Sequence, residues 1–265
     1  MMRAEGIRAA EAKAAALVHR CGVTAPEHIN ARVYAKKLGA RIAEGPLEGA
    51  QAQLVRSGDA ITILISDRIR DDRARNFIVV HELGHLVLKH PSCSPRELCS
   101  PVTRGPSHKR TYEGEASTYS GAALMPADLV RPMCDVGAMS LEIAWQIQRE
   151  YPVSILAAAI RCTQLTSLRC AAVFSARGAV KWFTPSERCA RWIPRGKRLD
   201  PASQAFAFFD RGQLDEAARA VPARAWFKTE SDVEIIEQSI GSEEHGTTLT
   251  MLWIPESSAA ALGMK

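Results

Sequence analysis

The sequence contains no apolar run that approaches the length of a transmembrane helix. Its alanine-rich N-terminus also lacks the continuous apolar segment and cleavage site of a secretory signal. The seven cysteines are scattered, and none of them forms the paired C-x-x-C spacing of a zinc ribbon. We therefore expect reduced thiols, a cytoplasmic protein and no membrane partner.

Strong charge of one sign is also missing. The formal net charge of +5 in 265 residues permits contact with nucleic acid or an acidic partner but does not require it. The hydrophobic share of 46% and the charged share of 24% are those of an ordinary globular protein. A chain of this length has room for two domains, or for three small ones.

The main chemical pattern lies between Asn76 and His90, where His81, Glu82 and His85 form an H-E-x-x-H motif. Residues four apart on an α-helix lie about 40° apart around its axis, so both imidazoles can face one point and hold a zinc ion. Glu82 would project beside the metal, where it can take a proton from water. The flanking residues are mostly apolar, so the helix should be buried. The alternative is a core helix that carries these residues by chance.

Catalytic zinc commonly has a third protein ligand, and four side chains are candidates: His90, His108, Glu113 and Glu115. We expect the helix to continue to His90, five residues after His85, so that the His90 side chain faces away from the point shared by His81 and His85. The longer H-E-x-x-H-x-x-G-x-x-H pattern is absent, because Leu88 occupies its glycine position. A glutamate from a second helix, starting near Thr111, therefore remains, and the spacing leaves both glutamates open.

The HELGH motif is followed by two further segments, Glu113-Gly114-Glu115-Ala116-Ser117 and Ala122-Ala123-Leu124-Met125-Pro126. Together they resemble the ImmA/IrrE family of metallopeptidases. In that family a glutamate four residues before an asparagine, followed by L-M-P, completes the zinc site. The resemblance thus implies Glu113 as the third ligand of Zn²⁺, with Mn²⁺ as another metal that the site can take. Ser117 stands where the family usually has asparagine, whose side chain would orient a metal-binding histidine.

The longer members of this family join the peptidase to a helix-turn-helix and then to a GAF-like domain. Residues 141–147 and 154–166 have the spacing of two helices around a turn, and short strand patterns follow residue 169. The expected fold class is α+β. It consists of a zincin-like metallopeptidase domain at 1–130, a helix-turn-helix segment at 131–168 and an α+β GAF-like sensor domain at 169–265.

Three further predictions concern surfaces. The β-branched segment 60–66 is either an edge strand that pairs with an extended substrate or an interior strand without substrate contact. The second helix of the helix-turn-helix offers only Arg161, Thr163 and Gln164 for base reading, which favours a scaffold or partner-docking role. A basic and aromatic stretch binds nucleic acid or an acidic partner, or is a solvated face: Lys181, Trp182, Phe183, Arg188, Arg191, Trp192, Arg195 and Lys197.

The resemblance implies a zinc-dependent endopeptidase that cuts a helix-turn-helix transcriptional repressor once and so derepresses stress-response or mobile-element genes. The C-terminal domain would then sense a signal. Tyr112, Tyr119 and His108 are near enough in sequence to serve as oxyanion donors. The alternative is a non-proteolytic regulatory protein that binds a repressor, or DNA, through the helix-turn-helix and the C-terminal domain.

Overall fold

The computed structural model describes residues 2–91, 111–135 and 137–264. The chain forms two compact units, one of Met1–Val130 with Ile147–Ala157 and one of Arg131–Gln146 with Ala158–Lys265. Both contain helices and a sheet, which confirms a mixed α and β architecture. The three-part division at residues 130 and 168 stays a prediction.

The first unit begins with helix α1, Met2–Arg20, and helix α2, Ala31–Lys37. Between these helices, Pro26–His28 forms a short 3-10 turn. The α-helix begins only after Asn30, because the Asn30 carboxamide accepts hydrogen bonds from two backbone N–H groups of the first turn of α2.

A three-stranded sheet follows α2. Its strands are β1, Ala40–Gly45, β2, Ala52–Ser57, and β3, Ala60–Ser66, in the order β1-β3-β2. β3 pairs in parallel with β1 and antiparallel with β2. Of the two alternatives for segment 60–66, the structure shows the interior strand and not the edge strand. β3 lies in the centre of the sheet and has both of its backbone edges occupied, because the unpredicted strand β2 covers the second edge.

Helix α3, Asp72–Val87, carries the H-E-x-x-H motif, and helix α4, Thr111–Leu124, packs against it. Asp71 caps α3, because its carboxylate accepts a hydrogen bond from the Ala74 N–H. α1 lies along α4, and the sheet contacts α3 through β2 and β3. The motif helix is thus buried between α4 and the sheet.

Three helices follow in the chain: α5, Ala127–Cys134, α6, Leu141–Glu150, and α7, Ile155–Leu165. The helices expected at 141–147 and 154–166 are present, while the helix-turn-helix assignment stays a prediction. On α7 Arg161 is 1% exposed and bonds to Gln164, and Thr163 is fully buried and donates to the Ile160 carbonyl. Two of the three candidate base-reading side chains are therefore held inside the fold.

The second unit contains a sheet of five strands: β4, Cys170–Ala176, β5, Ala179–Pro185, β6, Arg219–Pro222, β7, Glu234–Ser242, and β8, Thr247–Trp253. The sheet is antiparallel, in the order β5-β4-β8-β7-β6. Arg177 and Gly178 join β4 to β5 with positive φ angles of 54° and 68°, the geometry of a tight hairpin turn. The helices of this unit are α8, Gln204–Arg211, and α9, Glu256–Ala259. β6 and α8 were not predicted, and the GAF-like assignment stays a prediction.

Several cations of the basic stretch are used within this unit. Arg191 donates to the Leu262 carbonyl, Lys197 to the carbonyls of Ala225 and Trp226, and Arg188 to Ser167. Their geometry favours a structural role over nucleic-acid contact. No helix of the described part of the chain is long and apolar enough to cross a membrane.

Candidate metal centre and active site

Three side chains from two helices converge at one point. His81 and His85 lie one turn apart on α3, and their Nε2 atoms are 3.1 Å apart. Glu113, in the first turn of α4, places Oε2 3.4 Å from the His81 Nε2 and Oε1 3.6 Å from the His85 Nε2. The structure therefore brings together the three residues that the sequence analysis selected as metal ligands.

The close packing of α3 and α4 produces this convergence. A Cβ atom on Gly84 would lie 3.1 Å from the Ala116 Cα, so only glycine allows the two backbones to approach so closely. One turn further along, the Ser120 hydroxyl donates to the Phe77 carbonyl at 2.9 Å. These two contacts set the height of α4 along α3, and with it the position of Glu113.

The donor set fits a zinc ion. A tetrahedral site with zinc–nitrogen bonds near 2.0–2.1 Å places its ligand atoms about 3.3 Å apart, close to the three separations given above. Burial and the neighbouring His81 lower the pKa of His85 to about 3, so this imidazole is neutral near pH 7 and has a lone pair for a metal. Among the described residues, His81, His85 and Glu113 form a group that could hold a metal ion, with their potential ligand atoms within 4.8 Å of one another.

Glu82 directly follows His81 and is only 5% exposed. Burial raises the pKa of its carboxyl group, with opposing effects from the nearby His81, which lowers it, and Glu113, which raises it. A carboxylate with a raised pKa binds a proton more readily, and a general base for water needs this property. Glu82 is thus suited to proton transfer beside the three converging ligands.

The two histidines differ in the side chains behind them. Behind His81, the Ser117 hydroxyl lies 3.4 Å from Nδ1, at the limit of a hydrogen bond. Behind His85, the His90 Nδ1 lies 3.0 Å from the His85 Nδ1. The Ser117 contact is the longer of the two, so the hydrogen bond behind His81 is weaker than the one behind His85.

The position of His90 corrects an expectation. The helix was expected to continue to His90, but α3 ends at Val87 and Lys89 adopts a left-handed φ of 57°. The Lys89 N–H bonds to the Leu86 carbonyl and the His90 N–H to the His85 carbonyl, the pattern of a Schellman turn. This turn places the His90 ring beside His85, with ring centroids 5.0 Å apart. Sequence reasoning missed this contact because glycine usually occupies the position of Lys89.

The remaining candidates lie elsewhere. Glu115 binds the His90 Nε2 at 3.0 Å through Oε2, so it faces His90 and not the converging Nε2 atoms. Tyr119 is fully buried, and its hydroxyl has no hydrogen-bond partner among the residues described. Tyr112 is half exposed and packs on the His90 ring with centroids 4.7 Å apart. His108 lies outside the described residues, as do Cys93 and Cys99.

Comparison with known families matches residues 35–163 to the peptidase family described as the IrrE N-terminal-like domain. This match supports the assignment of residues 35–163 to the ImmA/IrrE family. It covers all three converging side chains, and the family suggests a zinc metallopeptidase that acts on a protein. No curated protein matches the sequence.

Several solved structures share the fold. One of them, a Mycobacterium tuberculosis transcriptional regulator, aligns with a TM-score of 0.60 over 95% of this chain and 78% of its own length. The aligned residues are 10% identical, so the likeness is one of fold alone.

Proposed function

We propose that this protein is a zinc-dependent endopeptidase that cuts a helix-turn-helix transcriptional repressor at one site. The observation that carries the proposal is the convergence of His81, His85 and Glu113, beside a buried Glu82, within a peptidase family match. The likeness in fold to a protein named as a transcriptional regulator is compatible with a role in gene regulation.

The chemistry is divided among four side chains. His81, His85 and Glu113 would hold the metal ion, which supplies Lewis acidity and makes water acidic enough to lose a proton near neutral pH. Glu82 accepts that proton while the water oxygen bonds to the scissile carbonyl carbon. Glu82 then returns the proton to the leaving nitrogen as the carbon–nitrogen bond breaks. The products are a new carboxyl terminus and a new amino terminus.

The edge of β2 is the proposed place for an extended substrate segment. Within the described ranges no strand pairs with this edge, and β2 contacts α3. The Ser66 N–H bonds to the Gln51 carbonyl, so by antiparallel alternation the N–H groups of Ala52, Leu54 and Arg56 point away from β3. A substrate strand can bond to these groups, as in β-strand addition.

Leu54→Pro tests the role of this edge. It removes one outward N–H and leaves the β3 pairing intact. We expect cleavage to fall while zinc binding stays unchanged. Unchanged cleavage would show that the substrate does not pair with β2.

The proposed activity is tested by incubating the zinc-loaded protein with purified helix-turn-helix repressors encoded beside its gene. We expect a single pair of cleavage products, identified by mass spectrometry. Glu82→Gln is the control, because it keeps the size of the side chain and removes the base. Zinc binding with no cleavage by the wild type, and no effect of Glu82→Gln on repressor function, would support the non-proteolytic alternative.

A further inference from the structure

A chain of two hydrogen bonds extends behind His85, away from the converging Nε2 atoms. The His85 Nδ1 lies 3.0 Å from the His90 Nδ1, and the His90 Nε2 lies 3.0 Å from the Glu115 Oε2. The side chains are well shielded, with 3% of His90 and 12% of Glu115 exposed. Both contacts are therefore made with little competition from water.

The chemistry of the three groups sets the direction of both hydrogen bonds. An ionised Glu115 offers only acceptors, so the His90 Nε2 must carry the hydrogen in that contact. A neutral imidazole has one N–H, which leaves the His90 Nδ1 as an acceptor. The His85 Nδ1 must then donate, and the lone pair of His85 is left on Nε2, the atom that faces His81 and Glu113.

We propose that Glu115 and His90 form a positioning relay that holds His85 in the tautomer and ring orientation needed to bind the metal through Nε2. The relay rests on the proposed metal site and adds two residues to it. Neither residue touches the substrate or the reacting atoms, so both act through His85. Partners of this kind raise the basicity of a metal-bound histidine and fix its ring.

The backbone and a neighbouring helix support the relay. The Schellman turn at Lys89 ties the His90 N–H to the His85 carbonyl at 3.0 Å, so the two histidines are joined by backbone as well as by side chains. Glu115 packs against Gly6 of α1. A Cβ atom on Gly6 would lie 2.6 Å from the Glu115 Cδ and would overlap a carboxylate oxygen. Helix α1 therefore leaves a space that the Glu115 carboxylate fills.

The two histidines differ in the hydrogen bonds that orient their rings. With Ser117 at 3.4 Å, His81 has a weak orienting partner, whereas His85 has two successive contacts at 3.0 Å. The affinity of the site for zinc should therefore depend more on His90 than on Ser117.

The test measures zinc affinity by competition with a chromophoric chelator and records the visible spectrum of the cobalt-substituted protein. His90→Phe keeps a ring but removes the acceptor for His85. We expect zinc affinity to fall about 10- to 100-fold, with a change in the cobalt bands. Glu115→Gln keeps an acceptor oxygen for the His90 N–H and loses the charge. It should therefore retain the cobalt spectrum and lose less affinity than His90→Phe.

Gly6→Ala perturbs the relay from another helix by displacing Glu115, and we expect weaker zinc binding. Gly121→Ala is its matched control, since a Cβ there meets no atom within 4 Å and the same substitution is made on a helix. It should leave zinc affinity and the cobalt spectrum unchanged. Circular dichroism of the metal-free proteins would show whether each variant is folded.

The outcomes separate the relay from the proposed function. If the wild type binds zinc, and folded His90→Phe and Gly6→Ala bind it as tightly with the same cobalt spectrum, the relay is wrong and the metal site stands. If His90→Phe does not fold, Gly6→Ala decides the matter by the same two measurements. A wild type that binds neither metal would overturn both proposals.

Discussion

Each of the two units contains a glutamate whose carboxylate faces several polar groups. The two carboxylates differ in the hydrogen-bonding character of these groups. In the second unit Glu237 is fully buried. It accepts hydrogen bonds from the Trp226 indole N–H at 2.7 Å, the Ala205 backbone N–H at 2.9 Å and the Ser239 hydroxyl at 3.0 Å. These donors satisfy the Glu237 carboxylate, so this cluster needs no bound ion.

In the first unit Glu113 faces the Nε2 atoms of His81 and His85. If the relay behind His85 is correct, this imidazole presents a lone pair at Nε2, as a carboxylate does at its oxygens. Acceptors that converge on one point are stabilised by a cation, whereas donors that converge on a carboxylate need nothing more. The balance of donors and acceptors thus separates a candidate metal site from a structural cluster of similar composition.

The largest expected effect is on chemistry. Glu82→Gln should lower the rate of repressor cleavage by about 10²- to 10⁴-fold because the general base is lost, while bound zinc is retained. Time courses of cleavage together with metal analysis measure both quantities. Glu237→Gln, the same substitution in the structural cluster, should leave the zinc content unchanged. Loss of zinc in folded Glu237→Gln would show that Glu237 does not belong to a purely structural cluster.

The next effect is on the stability of the metal-free protein, which should fall when Glu237 is replaced but not when Glu113 is replaced. Glu237→Gln places an amide NH₂ group against donors and should lower the free energy of unfolding by about 1–3 kcal/mol. Glu113→Gln removes a charge from among acceptors and should leave the stability of the metal-free protein unchanged or higher, while zinc affinity falls. Urea unfolding in the presence of a chelator measures both. Equal destabilisation by the two variants would mean that Glu113 is also structural.

A similar destabilisation is expected where α3 meets α4. Gly84→Ala puts a Cβ 3.1 Å from the Ala116 Cα and should cost about 1–3 kcal/mol, since two backbones must separate. Because Glu113 lies on α4, zinc affinity should fall as well. Thermal unfolding with and without zinc measures the two effects. A variant as stable as the wild type would show that the helices have room to move.

The smallest effect concerns His81. Ser117→Asn lengthens the side chain behind His81 and should tighten zinc binding by less than about tenfold, since a good hydrogen bond replaces one of 3.4 Å. Chelator competition resolves a change of this size. Weaker binding would indicate that the packing around His81 suits serine.

The sequence predicts best what depends on local spacing. His81 and His85 lie one helical turn apart, and the hairpin at Arg177 follows from two strand patterns around a two-residue turn. Spacing alone did not decide whether Glu113 or Glu115 is the third ligand, and the resemblance to a family selected Glu113. These features need only nearby residues, or a motif, to be recognised.

The sequence fails where distant segments or rare backbone conformations decide. The order of the first sheet depends on which strands pair, and β2 has a weak strand pattern, so the sequence could not decide between an edge and an interior position for β3. The contact of His90 with His85 depends on a left-handed lysine, Lys89, which residue preferences do not predict. The pairing of His90 with Glu115 joins residues 25 positions apart and follows only from the packing of α4 on α3.

The most direct test of the central claim is the zinc content of the purified, zinc-loaded protein after removal of excess metal, measured by inductively coupled plasma mass spectrometry. We expect one zinc ion per chain in the wild type and in Glu237→Gln, and almost none in His81→Ala, with all three folded. A wild type without zinc, or zinc retained in full by His81→Ala, would contradict it.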